Sequence, residues 1–186
     1  MSIQNVRLLT IVYFVTAVAL RLIPHGWNIS AVGALTLFAG CYLSRTQGIV
    51  IGLGAMGLSD LIGHWLELPS MGLYDRPTMF AVYACLAILP ALLGGSLKNV
   101  SKAWSVPASA VLFSSLFFLV TNFAAWRDPL MAYPQTAAGL VSCYIAAVPF
   151  AAGTFAGDVL FSSAFFVVYA LMTAKRPDPA VVHQEA

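Results

Sequence analysis

The sequence predicts an all-α integral membrane protein, and two properties of the chain carry that prediction. Of its 186 residues, 60% are hydrophobic and only 9% are charged, against about a quarter charged in an ordinary soluble domain. The apolar residues form long runs separated by charges, Pro and Gly. So few charges cannot cover a water-exposed surface without leaving very large apolar patches. At about 20 residues per crossing, the chain has room for one compact helical domain and no separate soluble one.

Seven apolar runs are candidate helices, and each boundary falls at a charge or a turn-forming residue. In order along the chain they are Val6 to Ile23, Ser30 to Leu43, Gly48 to Leu66, Pro77 to Leu97, Trp104 to Ala125, Thr136 to Phe150 and Gly153 to Ala174. The run Thr136 to Phe150 lies between two prolines and is short for a crossing. We therefore expect six transmembrane helices and a short extra helix in the last outer loop.

The distribution of basic residues predicts the orientation, because Lys and Arg collect in cytoplasmic loops. With six spans and a cytoplasmic N-terminus, the cytoplasmic basic residues are Arg7, Arg45, Lys98, Lys102, Lys175 and Arg176. Only Arg21, Arg76 and Arg127 are then outside. Both termini are predicted to be cytoplasmic, with a single six-helix membrane domain over residues 1–176 and a disordered tail over 177–186.

Ionisable side chains inside membrane spans are costly and usually face a partner or a cavity. Asp60 and His64 are four residues apart on one helix face. They form a local pair, a hydrogen bond that locks their helix to its neighbour, or part of a solute pocket. Asp158 has two candidate partners, Arg21 or a ligand. Asn122 lies at a similar depth in the outer half of its span.

The predicted outer loops are longer than the inner ones and add further candidates. His25, Trp27 and Asn28 follow the first span, Tyr74 precedes the fourth, and Trp126 ends the fifth. The aromatic side chains either stack on a flat ligand or anchor the protein at the membrane interface. The predicted substrate-binding residues are Arg21, His25, Trp27, Asn28, Asp60, His64, Tyr74, Asn122, Trp126 and Asp158.

Several classes of function are excluded by what the sequence lacks. The net charge is only +2 and the basic residues are scattered, so nucleic acid is not an expected partner. The three cysteines lie in apolar runs without metal-site spacing, and no nucleotide-binding or metalloprotease motif occurs. We expect no catalytic residues, no metal, no cofactor and no enzymatic activity.

Small residues at spacing four allow helices to approach closely. Gly48 and Gly52 form one such motif, and Gly153 and Gly157 form another. These faces serve either packing within the chain or docking to a partner protein.

The order of these features resembles the S components of energy-coupling factor transporters, which are small six-helix proteins that capture vitamins. The run from Asn28 to Gly63 is similar to their second and third helices, and the segment opened by Pro149-Phe150 is similar to their last helix. The resemblance covers roughly residues 7 to 174 and is closest to an uncharacterised group of bacterial membrane proteins. The AxxxA docking motif of S components is absent, since Ala17 and Ala19 have the wrong spacing.

This resemblance implies a substrate-binding subunit in the bacterial inner membrane. Its expected partners are a vitamin-like or cofactor-like solute, the lipid bilayer, and a transmembrane coupling subunit with ATPases. Two alternatives remain at this stage. One is a structural or assembly subunit, and the other is a membrane enzyme acting on a lipid with Asp60 and His64 as a general-base pair.

Overall fold

A computed structural model describes residues 3–23, 28–68, 75–98 and 104–174, and these ranges contain helices and no strand. The helices are α1 (Ile3–Leu22), α2 (Val32–Tyr42), α3 (Arg45–Trp65), α4 (Arg76–Leu97), α5 (Ser105–Arg127) and α6 (Ala137–Thr173), with a one-turn 3-10 helix at Pro129–Met131. All of the α-helices except α2 are long and apolar enough to cross a membrane. The all-helical prediction is confirmed for the described residues, and the five long apolar helices agree with the prediction of a multi-pass membrane protein. The predicted tail lies outside the described residues.

Two contacts fix the relative directions of the helices. Arg21 near the end of α1 contacts Asp60 near the end of α3, so these helices are parallel and α2 returns the chain between them. Asp75, just before α4, donates its backbone N–H to Asp128, just after α5. The last turns of α1, α3 and α5 therefore meet the first turns of α2, α4 and α6 at one end of the bundle, which we call the upper end.

The shortest helix, α2, lies at the centre of the bundle. Every residue from Val32 to Cys41 is buried, and the helix packs against α1, α3, α4 and α6. Its 11 residues span only about 17 Å. Because neighbours enclose the whole circumference of α2, its sequence is apolar throughout and has no amphipathic face.

Small residues allow α2 to approach its neighbours closely. A Cβ added at Gly94 of α4 would lie 2.1 Å from the carbonyl oxygen of Leu37, and one at Gly52 of α3 would lie 2.6 Å from Oγ1 of Thr36. A Cβ at Gly48 would lie 2.9 Å from the backbone nitrogen of Gly40. The Gly48–Gly52 motif thus serves packing within the chain.

Aromatic rings fill the lower half of the bundle. Tyr13 stacks on Phe165 with ring centroids 3.7 Å apart, and its hydroxyl donates to the carbonyl oxygen of the same residue. Phe38 meets the edge of the Tyr13 ring at 5.0 Å, and Tyr42 packs on Tyr169 at 3.9 Å. These rings tie α1, α2 and α6 together below the upper end.

The expected short helix in the last outer loop is not separate. The structure shows one continuous helix, α6, of 37 residues with Pro149 inside it. Pro149 lacks one backbone N–H, but in apolar surroundings the remaining backbone groups still have to bond within the helix. At 1.5 Å per residue, α6 is about 55 Å long. It is therefore longer than the roughly 30 Å hydrocarbon layer is thick.

We predict that Gly94→Ala destabilises the protein, because the new methyl group would overlap the backbone of α2. Overpacking of this kind costs about 1 to 3 kcal/mol. Gly57→Ala is the matched control, since a Cβ at Gly57 meets nothing within 4 Å. Thermal unfolding in detergent measures both variants. Equal midpoints for Gly94→Ala and the wild type would contradict the close approach of α4 to α2.

Candidate solute-binding cavity

A cavity of about 390 Å³ opens in the upper half of the bundle. It lies beside the segment that leads into α2 and is walled by α1, α4, α5 and α6. The lining is apolar with polar groups interspersed, and it comprises Arg21, Asn28, Ser30, Thr78, Val82, Leu86, Phe117, Phe118, Thr121, Asn122, Ala125, Ala147, Phe150, Ala151, Thr154, Phe155 and Asp158. This composition and size are typical of small-molecule sites.

Asp158 occupies the deepest polar position in this lining. It lies in the middle of α6, is 2% exposed, and accepts a hydrogen bond of 2.6 Å from the Ser114 hydroxyl of α5. A Cβ added at Gly33, in the first turn of α2, would lie 3.0 Å from its Oδ1. Glycine at this position therefore gives the carboxyl group access to the start of α2.

Arg21 belongs to a polar cluster that joins three helices. Its guanidinium donates to the Ser59 hydroxyl and to Asp60, each at 2.6 Å. The other oxygen of Asp60 accepts a hydrogen bond from the Tyr83 hydroxyl of α4. The two charged side chains are only 17% and 19% exposed, so the pair holds α1, α3 and α4 together beside the cavity.

Of the alternatives considered from the sequence, the structure shows for Asp60 the hydrogen bond that locks its helix to its neighbours, and neither of the two specific pairings. Arg21 pairs with Asp60 and not with Asp158. Among the described residues, no hydrogen bond or ion pair joins Asp60 to His64, which is exposed. The spacing of Asp60 and His64 along α3 places them on the same side of that helix. It gives no information on the side chains of α1 and α4, which lie closer to Asp60 than His64 does.

The segment before α2 is attached to α6 at the edge of the cavity. The Asn28 side chain donates to Oγ1 of Thr154 at 2.9 Å, and its backbone has the left-handed φ of 50°, which asparagine tolerates better than most residues. Asn122 lines the same cavity, and its amide donates to the Phe118 carbonyl of its own helix. The amide oxygen of Asn122 remains an acceptor for a ligand.

A second polar contact holds the upper ends of α4 and α5 together. Asp75 caps α4 by accepting from the Thr78 backbone N–H at 2.8 Å. Asp128 is 1% exposed and accepts from the backbone N–H groups of Asp75 and Leu130. Burial would raise the pKa of Asp128, but these hydrogen bonds stabilise the carboxylate and hold its pKa below the ordinary value. This contact positions Thr78 in the cavity wall.

Trp126 lies in the last turn of α5, next to the connection to α6, and is not part of the described cavity wall. Its indole N–H donates to the Pro134 carbonyl at 2.9 Å, and the Arg127 guanidinium lies 5.7 Å from its ring centroid. Of the ten predicted site residues, the structure brings together Arg21, Asn28, Asn122 and Asp158. His25, Trp27 and Tyr74 lie outside the described residues.

Several lining residues were missed by the reasoning from sequence. Thr78, Thr121 and Thr154 are polar groups of the wall, and Phe117, Phe118, Phe150 and Phe155 supply aromatic surface. Threonine is common in membrane helices because its hydroxyl can bond to its own backbone, as that of Thr121 does to Phe117. One usable signal was present, since Thr154 precedes Asp158 by four residues and shares its helix face.

Within the part of the chain that the structure describes, no group of three or more His, Cys, Asp or Glu side chains could hold a metal ion. The cysteines at 41, 85 and 143 are all buried. The cavity offers hydroxyl, amide, carboxyl and aromatic groups in a partly enclosed space.

The model of a family of unknown function, DUF6580, matches residues 2–181 of the chain. No curated protein and no solved structure matches the chain significantly.

We predict measurable coupling between Arg21 and Asp60. Arg21→Gln, Asp60→Asn and the double variant form a cycle, and the coupling energy should be about 1 kcal/mol or more because the pair is largely withdrawn from solvent. Unfolding of the full chain in mixed micelles measures each variant. The matched control is Arg127→Gln with Gln135→Ala, because that hydrogen bond is exposed and should show coupling near zero. Coupling near zero for Arg21 and Asp60 as well would contradict the role of the cluster.

Proposed function

The chain belongs to the DUF6580 family, and we propose that it is a membrane protein that binds a vitamin-like or cofactor-like small molecule for uptake. The cavity beside the start of α2 carries this proposal. At about 390 Å³, it falls within the range of roughly 300 to 1,000 Å³ occupied by small-molecule sites. Its polar groups come from α1, α4, α5, α6 and the segment before α2, so they converge on a shared space.

The proposed topology opens this cavity outward. We place the chain in a bacterial inner membrane with six crossings and with both termini in the cytoplasm. The short, enclosed helix α2 is counted as part of the second crossing. Arg45 and Lys98 then lie on the cytoplasmic side, and Arg21 and Arg127 lie towards the outside, in keeping with the positive-inside rule. The upper end of the bundle is the outer end, and a solute enters from there.

Energy for uptake would come from partner proteins. Among the described residues we find no nucleotide-binding loop, and the resemblance to S components supports a transmembrane coupling subunit with ATPases as the partners. We assign the binding step to this chain, whose residues form the described cavity wall.

The alternatives account for fewer of the observations. Docking through the Gly48–Gly52 face, as in an assembly subunit, competes with the packing of that face on α2 and α4. A general-base pair of Asp60 and His64 requires a contact between them, whereas both oxygens of Asp60 are engaged by Arg21 and Tyr83. Neither alternative assigns a role to the cavity.

A cavity-filling variant tests the proposal directly. Ala151 lines the cavity, whereas its neighbour Ala152 is exposed on the outside of the bundle. We expect native mass spectrometry of gently extracted wild type to detect a small bound solute. That solute should be lost by at least about tenfold in Ala151→Phe, since the new ring would occupy the site, and retained in Ala152→Phe.

Two results would contradict the proposal. One is wild-type protein that carries no small molecule and a stoichiometric partner protein, which would favour an assembly subunit. The other is a solute retained equally by Ala151→Phe and Ala152→Phe, which would place binding elsewhere.

A further inference from the structure

We infer that the deep end of the cavity binds a single positive charge against Asp158, carried by a protonated nitrogen of the solute. The inference rests on the proposed function, because it assigns a chemical class to the solute in the same cavity. Neutral and anionic solutes are disfavoured by the same argument.

Asp158 is a buried carboxyl group without a cationic partner among the described residues. It is 2% exposed, and the Ser114 hydroxyl supplies its hydrogen bond. The ion pair in the described ranges is Arg21 with Asp60. A carboxylate withdrawn from water this far is costly unless a cation or several hydrogen bonds compensate it.

Arg21 lines the same cavity but does not neutralise Asp158. Its guanidinium is held by Ser59 and Asp60 at 2.6 Å each. The charges of Arg21 and Asp60 therefore cancel each other at the cavity wall. Asp158 is left as an uncompensated acidic group in the described lining.

Burial disfavours the ionised form of Asp158, and two contacts offset part of that cost. The Ser114 hydroxyl donates to it, and the first turn of α2 at Gly33 lies against its other oxygen. The amino-terminal end of a helix carries a partial positive charge, equivalent to about half an elementary charge. Even at its full value, that partial charge leaves about half of the carboxylate charge for a ligand to balance.

Ser162 provides an independent sign that a polar group belongs at this depth. It follows Asp158 by four residues on the same helix, so the two side chains share one face. Ser162 is completely buried, and its hydroxyl has no hydrogen-bond partner in the described part of the chain. Ser162 lies one turn below Asp158 and outside the described cavity lining, and its hydroxyl can accept a hydrogen bond from an N–H group that reaches this depth.

The walls next to Asp158 indicate the rest of the solute. Phe117, Phe118 and Phe155 line the cavity with Val82 and Leu86. Aromatic and aliphatic walls around one acidic group match a molecule with an apolar or aromatic body and a cationic end. Tryptamine has this chemistry, and tryptophol is its neutral counterpart with a hydroxyl group in place of the amine.

These two probes test the inference on the full-length protein in detergent. We expect tryptamine to bind wild type about tenfold more tightly than tryptophol, because the charged hydrogen bond to Asp158 is absent for the alcohol. Asp158→Asn has nearly the same shape and should bring the ratio close to one. Titration calorimetry gives both dissociation constants, and comparing variants removes the effect of probe partitioning into micelles.

Ser162→Ala keeps the experiment informative if Asp158→Asn fails to fold. It should weaken tryptamine binding by a few-fold and leave tryptophol unchanged. Ser115→Ala is the matched control, because the Ser115 hydroxyl bonds to the Val111 carbonyl of its own helix, whereas the Ser162 hydroxyl has no partner in the described part of the chain. Equal effects of the two serine variants would count against the site.

A positive charge at Asp158 could also come from an alkali cation. Melting temperatures in lithium, sodium and potassium chloride at equal ionic strength separate the two sources. A difference between the ions that disappears in Asp158→Asn would assign the charge to an inorganic ion and overturn the solute amine.

The remaining outcomes separate this inference from the proposed function. Equal affinity for tryptamine and tryptophol, both lost in Ala151→Phe, would overturn the charge preference and leave solute binding intact. A neutral or anionic solute carried by wild-type protein would do the same. If neither probe binds and no solute is carried, both the inference and the proposed function fall.

Discussion

The enclosure of α2 is the constraint on which the rest of the structure depends. Buried from Val32 to Cys41, this helix needs neighbours that approach it closely, and glycines at 48, 52 and 94 provide the space. Its 11 residues leave α4, α5 and α6 extending past its first turn. The space between those longer helices is the cavity. The short, enclosed α2 therefore accounts both for the close packing at the centre and for the opening at the upper end.

The buried polar residues fall into two groups, according to whether contacts within the fold compensate their removal from water. Some are satisfied within the fold, as in the cluster of Arg21, Asp60 and Tyr83 or the capping contacts of Asp75 and Asp128. These contacts set the positions of the helices around the cavity. Asp158 differs, because its hydrogen bond to Ser114 leaves a buried charge without a cation in the described residues. Binding chemistry is inferred where the fold leaves such a group incompletely satisfied.

The helices could be predicted from the sequence because apolar runs and their charged boundaries are local features. Their pairing could not, since helix periodicity shows which residues share a face but not which face meets which neighbour. Arg21 was therefore considered as a partner for Asp158, whereas in the structure it pairs with Asp60. Pro149 and Gly153 indicated a break because they disfavour helices in water, whereas the surroundings of a membrane helix keep α6 continuous. Thr78 and Thr121 were missed because nothing local distinguishes them from threonines bonded only to their own helix, whereas the spacing of Thr154 to Asp158 was a signal that could have been used.

Cysteine labelling in intact cells tests the central claim that the cavity is an aqueous space open to the outside. The variants Asn122→Cys in the cavity, Ala152→Cys on the exposed apolar surface and Ser96→Cys at the lower end would be made with the natural cysteines replaced by alanine. The account predicts that a membrane-impermeant maleimide labels Asn122→Cys in intact cells, labels Ser96→Cys only after the membrane is opened, and leaves Ala152→Cys largely unlabelled. Labelling of Ser96→Cys but not Asn122→Cys in intact cells would contradict the proposed orientation. An unreactive Asn122→Cys under every native condition would contradict the cavity itself.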